Sequence, residues 1–70
     1  MVNLEERDKQ FLRDNFENAE ELIHAEHIDD ILGPLYDLID EKGFAPPHFY
    51  EYNDFGREAQ KVYDRIYYNG

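Results

Sequence analysis

The stretch NDFGREAQKVYDRIYY, residues 53–68, decides the fold class. Phe55, Ala59, Val62, Tyr63, Ile66 and Tyr67 recur at i, i+4, i+7 and i+8, while Arg57, Glu58, Lys61, Asp64 and Arg65 take the other side. That spacing predicts an amphipathic helix over about 54–68 with one stripe for a core. Asn53 stands where an N-cap belongs, and Gly56 leaves room for close approach of another backbone.

Upstream, residues 43–53 hold Pro46 and Pro47 and have no helical period, so they read as an ordered aromatic and proline loop. Before it, Ile28, Ile31, Leu32, Leu35, Leu38 and Ile39 form a second stripe, a helix over about 28–42 that stops at Gly43, expected in the left-handed conformation of a helix C′ residue. Pro34 either falls near the first turn, where the missing amide hydrogen costs little, or kinks a longer helix. At the N-terminal end, Leu4, Phe11, Leu12, Phe16, Ala19, Leu22 and Ile23 keep the same periodicity. Asn3 with Glu6 and Asn18 with Glu21 have the spacing of capping boxes, which predicts two helices, about 4–14 and 19–26, with a turn between; one long helix is the alternative. No strand alternation and no repeat appears. The expectation is an all-α fold, a compact three- or four-helix bundle in one domain spanning residues 1–70.

A core this small supplies no more than about 3–5 kcal/mol, so the eleven aromatics, six Tyr and five Phe, are expected to bury much of the area unless a homodimer helps. Phe44 and Phe49 are assigned to capping the core.

Absent residue types exclude whole classes of chemistry. The chain has no Ser, Thr, Cys or Trp, which removes hydroxyl and thiol nucleophiles other than Tyr, thiolate metal sites and disulfides. The N-terminus turns acidic within five residues and carries no apolar run, so neither a signal peptide nor a membrane span is expected, and a reducing cytoplasm fits best. Four scattered glycines make no phosphate-binding loop. Glu21-Leu-Ile-His24 has the Glu-x-x-His spacing of di-iron carboxylate bundles, with His27 following. One copy would need a symmetric dimer to complete such a site, and exposed histidines on an acidic helix are the simpler reading. Alignment on the calcium-binding EF-hand glycine fails at the other ligand positions. His48 is weighed as a general base and set aside as a loop histidine. The chain is therefore read as not an enzyme, with no cofactor.

Charge is the positive signal. Formal net charge is -10, and between Arg13 and Lys42 stand ten acids and no base: Asp14, Glu17, Glu20, Glu21, Glu26, Asp29, Asp30, Asp37, Asp40 and Glu41. The other 42 residues hold seven acids and seven bases, so this one stretch carries the entire charge. An ordinary solvated helix mixes signs and gains i, i+4 pairs. On a straight helix the ten would repeat about every 4 Å, close to the phosphate spacing of about 3.4 Å along one DNA strand. Direct binding to nucleic acid is excluded for want of a basic patch.

These observations lead to an acidic binding or inhibitor protein whose face over residues 14–41 engages a basic partner, one that itself binds nucleic acid, in the manner of a phage or mobile-element mimic. Tyr50, Tyr52 and Tyr68 are the further contact candidates, being amphipathic rings of the kind that anchor interfaces. The alternatives are a helical domain acting through its Tyr-rich C-terminal surface, and a dimeric metal-binding bundle using Glu21, His24 and His27.

Overall fold

The computed structural model describes residues 3–46 and 50–69. Four helices follow in order: α1 (Glu6–Asn15), α2 (Ala19–Ile23), α3 (Asp29–Lys42) and α4 (Asp54–Asn69). The fold is all-α, with two N-terminal helices rather than one long one. α3 and α4 pack most extensively, α1 lies against α2 and α4, and α2 touches α3. The molecule measures 39 × 24 × 19 Å.

The core is aliphatic. Leu12, Leu22, Ile23, Ile31, Leu32, Leu35, Leu38, Val62 and Ile66 are buried together, and Phe11, Phe16, Phe55 and Tyr63 pack against this cluster only half-buried. Among the described residues no aromatic is fully buried, so the rings contribute their area from the edge of the core. Four helices meeting at close range favour branched aliphatic knobs, and the rings seal the edges, as Phe11 and Phe55 do with centroids 5.8 Å apart. Tyr67, assigned to the buried stripe of α4, is exposed, because the stripe ends at Ile66.

Several helix ends depart from the sequence reading. α1 begins after Glu5 rather than Asn3, and Glu5 makes no side-chain cap bond. Its carboxylate is drawn instead toward two arginines, Arg7 at 3.4 Å and Arg65 at 3.6 Å. Asn18 does sit at the N-cap of α2, also without a side-chain bond. α2 stops at Ile23, three residues early, because the Ala25 amide donates to the Leu22 carbonyl three positions back and tightens the last turn. Pro34 lies inside α3, past the first turn, and deprives the Asp30 carbonyl of its amide donor.

The junction of α3 and α4 is the most specified part of the chain. Asn53 caps α4 as expected, its Oδ1 accepting from the Gly56 amide at 2.6 Å, while its Nδ2 donates to the Lys42 carbonyl at 2.8 Å. Gly43 ends α3 at φ -92°, right-handed rather than left-handed as expected. Its glycine character serves packing: a Cβ there would meet the Ile39 carbonyl at 2.6 Å and Gly56 Cα at 3.1 Å. A Cβ on Gly56 would collide with the Gly43 carbonyl, so both residues must lack a side chain for the helices to join here. Between them, Phe44 and Tyr52 form an antiparallel bridge, and the Ala45 amide donates to the Glu51 carbonyl at 2.8 Å. The expected ordered loop is thus pinned at its base; Pro47, His48 and Phe49 lie outside the described residues, and with them the roles considered for His48 and Phe49.

Arg65 ties the two ends of the chain together, most closely through Asp8. Arg65 of α4 donates from Nε (2.8 Å) and Nη2 (2.6 Å) to Asp8 Oδ1 of α1, and Asp8 is 1% exposed. Arg65, read as part of a solvated face, is drawn in against α1. The Asp8 hydrogen bond outweighs desolvation and raises the Arg65 guanidinium above its already alkaline ordinary value, so it is charged at any pH at which the protein is handled.

Candidate functional site: an acidic stripe beside an aromatic groove

α3 presents two faces fixed by its sequence. Ile31, Leu32, Leu35, Leu38 and Ile39 are buried, and Asp29, Asp30, Asp37, Asp40 and Glu41 are all exposed. At 3.6 residues per turn the five acids fall within a sector of about 120°, opposite the buried one. They span about 18 Å of helix in two groups, Asp29 and Asp30 near its start and Asp37, Asp40 and Glu41 toward its end, with about 10 Å between.

The other five acids of the base-free stretch, Asp14, Glu17, Glu20, Glu21 and Glu26, are exposed as well, on α1, α2 and the connections. Because three helices share the stretch, the uniform row of ten charges expected for one straight helix does not exist; half of them form a row, on α3. Among the described residues only Glu20 of the ten is ion-paired, with Arg13 at 3.0 Å, and His24 Nε2 lies 3.6 Å from its other carboxylate oxygen. Asp14 accepts from Gln10 at 2.8 Å. The five carboxylates on α3 have neither an ion-pair nor a hydrogen-bond partner among the described side chains. Arg13, through its hydrogen bond and then its charge, lowers the Glu20 carboxyl below its ordinary 4.5, with desolvation opposing and His24 and Lys9 adding.

Beside the stripe lies a groove of about 140 Å³ lined by Tyr36, Ile39, Asp40, Phe44, Tyr52 and Gln60. Phe44 and Tyr52 stack with centroids 5.0 Å apart and planes 20° from parallel. Phe44, expected to cap the core, instead stands half-buried in this wall, held there by the bridge to Tyr52. The Tyr52 hydroxyl donates to Gln60 Oε1 at 3.1 Å, and Gln60 Nε2 donates to Asp64 at 3.0 Å.

Of the tyrosines singled out from sequence, Tyr52 is in the groove, Tyr50 is 86% exposed near the loop base, and Tyr68 is 81% exposed, edge-to-face with Tyr67 at 5.2 Å. Tyr36, 62% exposed, belongs to the groove and was missed. Its position one turn before Asp40, off the apolar stripe of α3, is the signal that would have found it. Glu21, His24 and His27 are not brought together: among the described residues no three His, Cys, Asp or Glu side chains form a group able to hold a metal ion. No helix among those residues is long and apolar enough to cross a membrane.

Comparison with known proteins finds no family model that matches the chain, no curated protein of similar sequence and no solved structure of similar fold.

Proposed function

We propose that this protein is a non-enzymatic binding protein that uses the acidic face of α3, extended by the acids of α2 and its flanks, to engage a basic protein. The observation that carries the reading is the row of five exposed, unpaired carboxylates on one side of α3. A solvated helix gains from interleaved Lys and Arg, and this one has none before Lys42. The row speaks for a partner that supplies the missing cations.

A partner that binds nucleic acid is the natural class, since its groove is already built for a line of negative charge. The charges on α3 fall in two groups about 10 Å apart along the axis rather than at the even phosphate spacing of about 3.4 Å, so the row competes with a strand without copying it. Such an inhibitor, of the phage or mobile-element kind, would act in the cytoplasm, where a chain without cysteine loses nothing. Steering by the row makes association fast and strongly dependent on salt.

The test compares two baits in extracts of the source cell at low salt: the wild-type chain and a variant carrying Asp29→Asn, Asp30→Asn, Asp37→Asn, Asp40→Asn and Glu41→Gln. The expected result is a basic protein held by the wild type, released by a salt step and not held by the variant. Equal retention by both baits, or retention of nothing basic, would refute the reading.

A further inference from the structure

We infer that the groove bounded by Tyr36, Phe44 and Tyr52 receives an arginine side chain of the basic partner, which makes it the anchor point of the acidic face. This inference rests on the proposed function and adds where, and by which residue, the partner is held.

Four of the six lining side chains, Tyr36, Ile39, Phe44 and Tyr52, offer apolar or aromatic surface, and the single charge in the lining is the carboxylate of Asp40. Neutral apolar ligands need no such charge, and an anion is repelled by it. The cavity of about 140 Å³ is of the size that holds one benzene-sized planar group. A guanidinium is planar, stacks on ring faces and pairs with a carboxylate, whereas an ammonium is a compact, strongly hydrated point charge. Phe44 and Tyr52 stack on each other, centroids 5.0 Å apart and planes 20° from parallel, which leaves the outer face of the stack for such a plane.

The hydrogen-bond pattern points the same way. Tyr52 sends its hydroxyl proton to Gln60, and Gln60 gives one of its two amide N–H groups to Asp64. Tyr52 Oη keeps lone pairs to accept, and Asp40 has no partner among the described side chains. The groove is thus supplied with acceptors and ring faces, the complement of a five-donor guanidinium. Asp40 belongs both to the groove and to the row on α3, one turn from Asp37 and adjacent to Glu41. A cation seated beside Asp40 therefore has neighbours on its own chain set against further carboxylates, which selects an arginine within a basic segment over the free amino acid.

The experiment titrates the isotope-labelled full chain at low salt with an acetylated, amidated hexa-arginine peptide and, separately, with hexa-lysine, following backbone amide shifts. The expected result is that hexa-arginine moves Tyr36, Phe44, Tyr52 and Gln60 together with the acids of α3. Tyr36→Ala, an exposed position whose loss leaves the core intact, weakens hexa-arginine about fivefold and hexa-lysine by less than about twofold. Two results overturn the inference. Shifts confined to the acids, with Tyr36→Ala affecting both peptides alike, show a carboxylate row without an arginine anchor and leave the proposed function standing. Failure of both peptides to bind at low salt removes the anchor and the acidic-face reading together.

Discussion

At the scale of single residues, stability is concentrated in contacts that no periodicity announces. Asp8 and Arg65 are 57 positions apart, and each looks like surface charge in its own helix. Their pairing is a property of how α1 meets α4, so it could not be read before the fold was known. Breaking a buried pair costs about 3–5 kcal/mol, comparable with everything a core of this size supplies. Asp8→Ala leaves Arg65 with Glu5 at 3.6 Å and a route to water, so its loss should fall near about 3 kcal/mol. Arg65→Ala strands a carboxylate whose side chain is 2% exposed and should destabilise more. Urea unfolding of the two variants checks the order. The glycines divide in the same way. Gly56 is forced by the Gly43 carbonyl, and its role was foreseen, whereas a Cβ on Gly33 meets nothing within 4 Å beyond its chain neighbours and its own helix backbone. Gly33→Ala should gain less than the roughly 1 kcal/mol of an ordinary helix site, because the Pro34 ring crowds a Cβ on the residue before it, and the thermal midpoint should rise only slightly. Glu20 gives a pH signature. Its carboxyl is depressed by Arg13, so the pair contributes above the ordinary 4.5 and the contribution is lost as pH falls through the lowered value. Arg13→Gln should reduce stability at pH 7 in low salt, and its difference from the wild type should shrink as pH falls below 4.5.

At the scale of elements, the apolar periods gave α3 and α4 almost residue for residue, since both stripes are long and one-sided. α2 was misjudged at its end because a five-residue helix has too few turns for periodicity to locate its boundary. The acidic character of α3 was plain in sequence, and its arrangement into one sector follows from helix geometry; the groove was not, because Phe44 and Tyr52 reach α3 only through the bridge at the loop base. One feature of α3 separates a functional row from a stabilising one. Asp29 and Asp30 lie in the first turn, where negative charge is favoured, but Asp40 and Glu41 lie near the last, where it opposes the helix dipole. Replacing Glu41 by Gln should raise stability by about 0.3–1 kcal/mol, measured by thermal unfolding. A loss of stability would mean that the acid serves the fold.

At the scale of the whole molecule, a net charge of -10 on 70 residues is a destabilising field. Exposed charges are screened by salt, while the Asp8–Arg65 pair, largely shielded from solvent, is screened much less. Raising sodium chloride from about 0.01 M to about 0.15 M shortens the screening length from about 30 Å to about 8 Å and should raise the thermal midpoint. A falling midpoint would mean that surface pairs outweigh repulsion. The central claim is that the α3 row, not the C-terminal tyrosines, meets the partner. Its most direct test is a map of backbone amide shifts on adding the basic protein retained by the wild-type bait. The account predicts that shifts centre on Asp29, Asp30, Gly33, Asp37, Asp40 and Glu41 and leave Tyr67 and Tyr68 unmoved. A map centred on Tyr67 and Tyr68, with α3 undisturbed, would contradict it.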